Sequence, residues 1–480
     1  MKYLTTIGLE VHVQLKTRSK MFCGCPTGPG APPNTQVCPV CLGYPGTLPV
    51  MNGEAIRLTV MTGLMLGCAI SPYSKFDRKN YFYPDMPKNY QISQFDKPLC
   101  LGGSVEIDAG GGAVKAVRLT RIHLEEDVGK CIHQARRSGV DFNRAGVPLM
   151  EIVTEPDMET PDEAFAFLLA LKQMLLYLGV SDCNLEEGNL RCDVNCSVRP
   201  EGQAELGTKV EIKNMNTFKG VHVALQYELD RQLEAVRTGE RIVQETRRWE
   251  PEAGATAPMR SKEQAHDYRY FPEPDLMPVV LPPAQVEAWR AALPELPRQK
   301  RERFAAQYGI PEYDARVLAA QKAVADYFDE AARGASNPKL ISNWVMTEML
   351  RRLAEREMDI RDCKVTPAAL RELAALAEIQ AINSNTAKEV FAILFEQGGD
   401  PAAVVRERGW GQNSDGDAIG ALADRVIAEN AKSADDYRRG KEAALKFLIG
   451  QVMRLSQGKA NPQMATEKLV QRLGRPGGTG

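Results

Sequence analysis

The sequence of 480 residues contains no run of eighteen apolar residues and does not open with a basic segment followed by an apolar core. The first absence argues against a membrane span and the second against a secretory leader, so we expect a cytoplasmic protein. Histidines number only five and no G-x-S-x-G sequence occurs, which gives a hydrolase triad little support. A G-x-x-x-x-G-K-[ST] loop is also absent, which disfavours a P-loop enzyme.

Neither sign of charge dominates, because 60 lysines and arginines oppose 62 aspartates and glutamates for a formal net charge of −2. Whole-chain charge therefore indicates no class of partner. Hydrophobic residues make up 44% of the chain, which is typical of a globular protein. The eleven cysteines are an odd number in a long chain, unlike the disulfide framework of a small secreted protein. We expect reduced thiols and one metal site.

Composition changes twice along the chain, in agreement with the two to four domains that its length favours. A proline-dense stretch at 271–283 separates a region of glycine, proline and short alternating runs from alanine-rich sequence with apolar residues at helical spacing. A second break follows at 395–417, where glycine, aspartate and asparagine accumulate. We therefore predict an α+β domain at 1–293, a helical domain at 294–406 and a small helical tail at 407–480.

Local signals within the first segment predict two helices and a hairpin. Thr160 is a candidate N-cap for a helix that begins at Pro161, and Glu163 is predicted to complete a capping box with it. Gly179 is a candidate stop for the same helix. A second helix is predicted at 220–236. The glycine cluster at 110–112 separates two alternating runs and predicts a hairpin turn.

The predicted tail carries a positive charge bias that the total conceals. From 437 to 480, nine basic residues accompany two acidic ones. The basic residues are Arg438, Arg439, Lys441, Lys446, Arg454, Lys459, Lys468, Arg472 and Arg475. Such a surface suits a polyanion, and a solvated helix face followed by a basic end is the alternative.

The stretch IGLEVHVQLK alternates apolar and polar residues, as expected of a strand with one buried face. Glu10 and His12 share its polar face. Three further predicted strands also carry a carboxylate, namely Glu125 in RIHLEEDVGK, Glu151 in VPLMEIVTEP and Asp193 in RCDVNCSVRP. A polar strand face usually contacts only water, and that alternative stays open for each strand taken singly.

Glu151 fits the water-facing alternative least well, because apolar residues flank it on both sides. A buried carboxylate is costly unless a cation or a donor compensates it. If the four strands are neighbours, Glu10, Glu125, Glu151 and Asp193 converge, and a divalent cation relieves their repulsion. Carboxylate oxygens with the imidazole of His12 suit Mg²⁺ or Mn²⁺ better than a thiol-preferring metal. Magnesium held by carboxylates commonly serves phosphate chemistry.

Lysines and asparagines that cluster with aromatic residues are candidates for binding a nucleotide or substrate, since they offer positive charge and orientable hydrogen bonds. They are Lys79, Asn80, Lys88, Asn89, Lys213, Asn214, Asn216 and Lys219, in the segments DRKNYFYPDMPKNYQISQ and VEIKNMNTFKG. Taken singly, such lysines more often face solvent.

Four cysteines form a C-x-C pair and a C-x-x-C pair, separated by twelve residues in loop-like sequence. The four are Cys23, Cys25, Cys38 and Cys41. Two such knuckles suit a tetrahedral, structural Zn²⁺ that leaves no position open for substrate. Four free loop thiols are the alternative, and redox catalysis is a weaker one because the first pair lacks redox-motif spacing.

Several long segments closely resemble GatB, the B subunit of the glutamyl/aspartyl-tRNA amidotransferases of the GatCAB family. They include IGLEVHVQLKTRSKMFC, LGYPGTLPVMN, DRKNYFYPDMPKNYQISQ, IHLEEDVGK, DFNRAGVPLMEIVTEPD, LEEGNLRCDVN, VEIKNMNTFKGV and DYRYFPEPDL. The resemblance extends to GQVMRLSQGKANPQ near the end, and so covers nearly the whole chain.

This resemblance implies an ATP-dependent and Mg²⁺-dependent ligase acting on mischarged Glu-tRNA(Gln) or Asp-tRNA(Asn). ATP phosphorylates the side-chain carboxylate of the aminoacyl group, and ammonia from a partner amidase, the GatA subunit, then displaces the phosphate. A small GatC subunit completes the implied heterotrimer. The implied fold is a cradle domain built on a large mixed β-sheet, then an all-α helical domain and a small helical tail that binds tRNA.

The resemblance also assigns roles to individual residues. Magnesium-binding and catalytic roles fall on Glu10, His12, Glu125, Glu151 and Asp193, the set that the strand pattern selects. Positions at the mouth of an ammonia channel fall on Lys79, Lys88 and Asp275. The four-cysteine knuckle occurs in only some members of the family, so zinc here is expected to be structural and dispensable to the chemistry.

Two other functions remain open at this point. A noncatalytic tRNA-binding scaffold explains the cysteine knuckle and the basic tail but gives no use for Glu151. A stand-alone kinase predicts ATP turnover without tRNA.

Overall fold

The computed structural model describes residues 2–134, 136–261, 267–411, 416–456 and 460–474. The chain divides into two compact units, Met1–Leu296 and Pro297–Gly480. The predicted class, an α+β region followed by a helical region, is confirmed, whereas the domain boundaries at 293/294 and 406/407 stay predictions. None of the described helices is both long enough and apolar enough to span a bilayer.

The first unit contains seventeen strands within the described residues. They are β1 (Tyr3–Gln14), β2 (Ala69–Ile70), β3 (Tyr73–Ser74), β4 (Asp77–Asn80), β5 (Tyr90–Ser93), β6 (Cys100–Leu101), β7 (Ser104–Asp108), β8 (Val114–Glu126), β9 (Lys130–Gln134), β10 (Arg137–Asp141), β11 (Pro148–Thr154), β12 (Leu190–Pro200), β13 (Val210–Lys213), β14 (Glu245–Glu250), β15 (Ala255–Ser261), β16 (Phe271–Pro272) and β17 (Val279–Val280).

Ten of these strands form one mixed sheet in the order β15-β14-β13-β12-β1-β11-β8-β6-β2, with β7 paired to β8. The β13–β14 pair is parallel and the other pairs are antiparallel. The predicted turn at 110–112 joins β7 to β8 as a hairpin. The large mixed sheet expected of a cradle domain is therefore present, with β1 near its centre.

Strand β1 forms because its alternation matches the two faces of the sheet. Ile7, Leu9, Val11 and Val13 are buried in the hydrophobic core, whereas Glu10 and the other polar residues point to the opposite face. Helices α1 (Gly53–Met65), α2 (Pro161–Leu178), α3 (Phe218–Thr238) and α4 (Pro283–Ala291) contribute side chains to the same core. The sheet thus has one apolar face under helices and one polar face.

The capping predictions for the first-segment helices largely hold. The hydroxyl of Thr160 accepts from the Glu163 N–H at 3.1 Å, and Gly179 ends α2 in the left-handed conformation. The carboxylate of Glu163 accepts from the backbone N–H of Glu159 rather than from that of Thr160. The second helix, predicted at 220–236, extends two residues further at each end because Thr217 caps it and Gly239 ends it.

The second unit is built from helices around two hydrophobic clusters. Its helices are α5 (Pro297–Tyr308), α6 (Glu312–Leu318), α7 (Lys322–Ala332), α8 (Pro338–Asn343), α9 (Leu350–Glu355), α10 (Pro367–Glu378), α11 (Ser384–Gln397), α12 (Pro401–Arg408), α13 (Gly416–Glu429), α14 (Ala431–Arg438), α15 (Glu442–Leu455) and α16 (Pro462–Leu473). A π-helix, Trp344–Met349, joins α8 to α9, and a 3₁₀ helix, Ile360–Asp362, precedes α10. One cluster spans α5 to α12 and the other α13 to α16.

Seven of the nine basic residues predicted for the tail lie in or beside the last three helices, and most are exposed. Lys459 and Arg475 lie outside the described residues. Arg438 pairs with Asp435 at 3.0 Å, and Lys441 pairs with Asp436 at 3.0 Å. The remaining bias is therefore positive but partly compensated within the tail.

Candidate functional site

The register of four neighbouring strands brings the predicted acidic residues together. His12 on β1 lies opposite Glu151 on β11 and opposite Arg191 on β12. Glu151 in turn lies opposite His123 on β8. Four strands thus place Arg191, His12, Glu151 and His123 in one row on the polar face of the sheet, since directly paired residues point the same way.

A second row adds the other carboxylates. Glu10 lies opposite Asp193, two positions along the register from His12 and therefore on the same face. Glu125 follows His123 by two residues and shares its face. The five residues Glu10, His12, Glu125, Glu151 and Asp193 therefore converge on one side of the sheet.

The imidazoles of His12 and His123 flank the Glu151 carboxylate. Oε2 of Glu151 lies 3.3 Å from Nε2 of His12 and 3.4 Å from Nε2 of His123. Glu125 lies slightly farther away, with its oxygens 3.8 Å and 4.0 Å from the same two nitrogens. Glu151 is 4% exposed, which agrees with the burial that its apolar flanks predict.

Burial and the charges of neighbouring side chains strongly shift the pKa values of the groups in this cluster. Burial, together with the charge and hydrogen bond of Glu151, raises the pKa of Glu10 to about 7. Burial alone would raise the pKa of Glu151, but His123 and His12 hold it well below its usual range. Glu10 is therefore the carboxyl group that carries a proton near neutral pH.

The two histidines respond in opposite directions. Burial lowers the pKa of His123 and outweighs the nearby carboxylates. Burial acts the same way on His12, but the hydrogen bond to Glu151 and the charges of Glu151, Glu125 and Asp193 raise the pKa of His12 to about 9. One imidazole is thus neutral and the other is cationic near neutral pH.

These donors fit a hard divalent cation. Within the described residues, Glu10, His12 and Glu151 offer three ligand atoms within 4.8 Å of one another, and so do His123, Glu125 and Glu151. Both groups share Glu151 and consist of carboxylate oxygens with a single imidazole, the donor set of Mg²⁺ or Mn²⁺ rather than of a thiol-preferring metal.

The cluster lies in a cavity of about 790 Å³ above the polar face of the sheet. Its lining includes Glu10, His12, Lys79, Tyr81, Gln91, Gln94, Arg121, His123, Glu125, Asp127, Glu151, Arg191, Asp193, Glu211, Lys213, Asn214, Asn216, Gln244, Tyr268 and Tyr270. The volume lies within the range of small-molecule sites. Carboxylates, cations and aromatic rings therefore line one concave site.

Four of the eight predicted nucleotide-binding residues line this cavity, Lys79 among them, whereas Asn80, Lys88, Asn89 and Lys219 do not. Lys213, Asn214 and Asn216 line it, whereas Lys219 lies exposed in the first turn of α3 and is not part of the lining. Nζ of Lys213 donates to Oδ2 of Asp193 at 2.5 Å. Burial opposes its charge, but Asp193 and Glu211 raise the pKa of Lys213 to about 12.

The predicted channel residues fall in two places. Lys79 lines the main cavity, where its ammonium lies 5.3 Å from the ring centre of Tyr268. Lys88 and Asp275 instead line a separate pocket of about 90 Å³. There Lys88 forms a buried ion pair with Glu126, which follows Glu125 in β8. These three residues do not line one cavity.

The four knuckle cysteines also converge. The sulfur atoms of Cys23, Cys25, Cys38 and Cys41 all lie within 4.8 Å of one another, and no disulfide joins them. Four thiolates around one Zn²⁺, at sulfur–zinc distances of about 2.3 Å, have this mutual spacing. The hydrogen bond to Cys23, against the effect of burial, lowers the pKa of Cys41 to about 4.

Arg191 and Asp127 are site residues that the sequence prediction did not select. Nη2 of Arg191 donates to Oδ1 of Asp127 at 2.8 Å, while Gln14 donates to Oδ2 at 2.7 Å. Nε of Arg191 is buried without a hydrogen-bond partner. Asp127 thus holds a guanidinium at the cavity wall. Strand alternation places Asp127 beside Glu125 and Arg191 beside Asp193, so this signal was present in the sequence.

The aromatic wall of the cavity was also missed. Tyr81 lies in the segment that contains Lys79, but Tyr268 and Tyr270 come from a segment almost two hundred positions away. The Tyr81 and Tyr268 ring centres are 6.1 Å apart, and those of Tyr268 and Tyr270 are 6.0 Å apart. No local pattern in the sequence predicts that meeting.

A buried cluster of carboxylates and histidines beneath a large polar cavity is typical of an enzyme active site. Comparison with known families gives its class. Residues 5–287 match the GatB/GatE catalytic domain, and residues 326–473 match the GatB domain.

Whole-length relatives agree with the family match. The chain is 52% identical over 476 residues to the B subunit of the aspartyl/glutamyl-tRNA(Asn/Gln) amidotransferase of Caldanaerobacter subterraneus subsp. tengcongensis, covering 99% of this chain and 100% of that one. It is 52% identical over 474 residues to the corresponding protein of Thermodesulfovibrio yellowstonii, covering 98% and 100%. The chain belongs to the GatB family and is thus part of an amidotransferase, a ligase.

Proposed function

We propose that the main cavity is the site at which ATP phosphorylates the side-chain carboxylate of mischarged Glu-tRNA(Gln), Asp-tRNA(Asn) or both. Ammonia then displaces the phosphate in the same cavity to form the amide. The observation that carries this proposal is the convergence of Glu10, His12, Glu125, Glu151 and Asp193 in a single cavity. The tRNA substrates are those in the names of the relatives. A carboxylate does not accept ammonia at neutral pH, and phosphate turns its oxygen into a leaving group.

Mg²⁺ is the metal that this donor set would hold, through the carboxylates of Glu10, Glu125 and Glu151 with His12 and Asp193 beside them. When bound, the ion screens the anionic substrate carboxylate from the anionic phosphate groups. The buried carboxylates keep this part of the cavity negative and select a cation. Deprotonated Glu10 adds a further negative charge, which favours cation binding above neutral pH.

Positively charged side chains at the edge of the cavity are suited to bind the phosphates of ATP and the anionic substrate. Lys213, tied to Asp193, and Arg191, tied to Asp127, present positive charge on neighbouring parts of the wall. Lys79 is partly buried, and although burial opposes its charge, Glu125 keeps its pKa above the usual range. A lysine held cationic in this position orients an anionic group and does not act as a base.

Membership of the GatB family also suggests the source of ammonia and the macromolecular partners. Lys88 and Asp275 line the smaller pocket beside the site, and we propose that they guide ammonia from an amidase, the GatA subunit. A small GatC subunit completes the proposed heterotrimer, and the basic tail contacts tRNA phosphates. Polyanion binding by a lysine- and arginine-rich surface is electrostatic and depends on salt.

A structural Zn²⁺ at the four cysteines completes the proposal. All four positions of a tetrahedral ion would be filled by sulfur, which leaves none for substrate. The ion would brace the loop between β1 and α1. A Cβ at Gly43 in this loop would lie 2.5 Å from Cγ of Lys88, so the loop packs closely against the smaller pocket.

A scaffold that only binds tRNA is the competing function, and substitution separates the two. Glu151→Gln removes the charge of a deeply buried site carboxylate but keeps its size. In the complex with the partner subunits, we expect the Glu151→Gln variant to form phosphorylated aminoacyl-tRNA at least about 100-fold more slowly. The substitution removes a ligand of the buried cation, and one charge-assisted contact is worth roughly 1.5–3 kcal/mol. tRNA binding should be unchanged.

The matched control is Glu106→Gln, because Glu106 is an exposed carboxylate on β7 outside the cavity. We expect it to retain full activity. Wild-type phosphorylation by the Glu151 variant, with intact tRNA binding, would favour the scaffold. ATP turnover that does not need mischarged tRNA would favour a stand-alone kinase.

A further inference from the structure

Lys20 is a fully buried lysine whose side chain ends at the cysteine cluster. It is 1% exposed, and it is among the largest fully buried side chains in the described part of the chain. Its Nζ lies 3.6 Å from Sγ of Cys41 and 3.3 Å from the carbonyl oxygen of Phe142. Within the described residues, no carboxylate lies at ion-pair distance from this ammonium.

Burying an ammonium without a negative partner is costly, by several kcal/mol per ion even after relaxation of the protein. A carbonyl oxygen compensates only part of that cost. Among the described residues, Sγ of Cys41 is the other atom at hydrogen-bond distance from this ammonium, so a thiolate at this position supplies a negative charge in direct contact. The burial of Lys20 makes physical sense if the cluster is anionic.

Gly146 packs against both Lys20 and Cys41. A Cβ at this position would lie in ordinary contact, 3.4 Å from Cδ of Lys20 and 3.5 Å from Cβ of Cys41, while the φ of 86° at Gly146 is a left-handed backbone conformation that favours glycine. The backbone of the same segment is fixed as well, because Lys20 N–H donates to the Cys25 carbonyl at 2.9 Å and Met21 N–H donates to the Gly146 carbonyl at 2.7 Å. Lys20 is thus tied to the knuckle through both its backbone and its side chain.

We propose that Lys20 is an outer-shell cation of a tetrathiolate zinc site, and that it slows zinc loss by donating a hydrogen bond to the Cys41 thiolate. Four thiolates around Zn²⁺ carry a net charge of −2, and one ammonium in contact reduces the charge that the buried site must hold to −1. The inference rests on the proposed zinc site, and it does not depend on the proposed amidation chemistry.

Zinc release tests this role without using enzyme activity. The full-length chain is loaded with zinc, and the transfer of the zinc to a chromogenic chelator is followed for the wild type and for Lys20→Met, which keeps most of the side chain's length but removes its charge and its donor. We expect release to be about 10- to 100-fold faster in the variant, the usual effect of losing an outer-shell partner. Lys16→Met is the matched control, since Lys16 is an exposed lysine that pairs with Asp182 at 2.6 Å.

Cobalt substitution gives a readout that simple loosening of the loop would not produce. Loss of an N–H donor makes the thiolate more electron-rich, so the sulfur-to-cobalt charge-transfer band should move to longer wavelength in Lys20→Met and stay fixed in Lys16→Met. If Lys20→Met does not fold, Lys20→Gln is measured in the same way. Unchanged release together with an unchanged band overturns the role of Lys20. A wild-type chain that takes up no zinc overturns the zinc site itself, and with it this inference.

Discussion

The carboxyl groups of Glu10 and Glu151, on the neighbouring strands β1 and β11, offer oxygen atoms within 4.8 Å of one another. Two buried carboxylates at this separation repel each other, and burial together with the charge of Glu151 raises the pKa of Glu10 to about 7, so Glu10 is the group that holds a proton near neutral pH. A cation that binds both groups must displace this proton. Metal binding and proton release are therefore coupled at this site.

The coupling predicts how metal affinity depends on pH. Because one proton must leave Glu10, the apparent affinity for Mn²⁺ should rise about tenfold per pH unit below pH 7 and then flatten. If His12 is also a ligand, the rise should continue towards pH 9, where His12 loses its own proton. Electron paramagnetic resonance of free Mn²⁺ measures both regions. Glu10→Gln should lower the slope below pH 7 by one proton, that is by about tenfold in affinity per pH unit, and a slope unchanged by this substitution would assign the proton to another group.

Lys213 and Lys219 provide a matched pair for the nucleotide side of the cavity. Lys213 lines the cavity and contacts Asp193, whereas Lys219 is exposed outside the lining. Lys213→Met should reduce kcat/KM for ATP by about 10- to 150-fold, the loss expected for one charge-assisted contact. Lys219→Met should leave it close to the wild-type value. Equal effects of the two substitutions would mean that ATP does not use the cavity.

Arg191 offers a test of the guanidinium at the cavity wall. Arg191→Lys keeps the charge but removes the planar guanidinium and its hydrogen bond to Asp127. We therefore expect a loss of at least about tenfold in kcat/KM for ATP. Asp127→Asn should cause a smaller loss, since it leaves the guanidinium in place but frees its orientation. Steady-state kinetics at fixed tRNA concentration distinguish the two. Wild-type kinetics in both variants would remove Arg191 from the substrate contacts.

The basic tail should contribute to tRNA affinity through counterion release. Arg439, Lys446 and Arg454 lie on or beside the last helices of the chain, and changing all three to glutamine removes up to three phosphate contacts. Each lost contact should lower the slope of log affinity against log salt by about 0.7–0.9. Filter binding over a salt series measures this slope. A slope unchanged from the wild type would place the tRNA contacts elsewhere.

The strand pattern was sufficient to find the acidic core of the site. Period-two alternation is a local property, so the sequence alone assigns Glu10, His12 and Asp193 to the polar faces of their strands, and the register of β1 with β12 confirms that they share one face. Apolar flanks similarly indicated the burial of Glu151. What alternation alone could not supply was the neighbourhood of the strands, because β8, β11, β12 and β1 are distant in sequence.

The positions of the lysines depend on tertiary contacts as well as on local sequence. Lys79 and Lys88 lie in one short segment, yet they line different pockets. Lys79 is in β4, whereas Lys88 precedes Asn89, which has a left-handed backbone with φ of 62° and turns the chain before β5. The tyrosines at 268 and 270 enter from the approach to β16, through pairing of β16 with β4. Such placements depend on tertiary contacts that no short pattern records.

The alternation of buried and cavity-facing residues along β1 limits the insertions and deletions that this strand can accept during evolution. The odd-numbered residues of β1 from Ile7 to Val13 are buried in the core, and the even-numbered residues between them lie on the polar face that carries the cavity. Inserting or deleting one residue within the strand would therefore exchange the two sets. Val11 would then enter the cavity, and His12 would be forced among aliphatic side chains. Length variation among descendants should therefore collect in the hairpin at 110–112 and other exposed turns, while the four central strands keep their spacing.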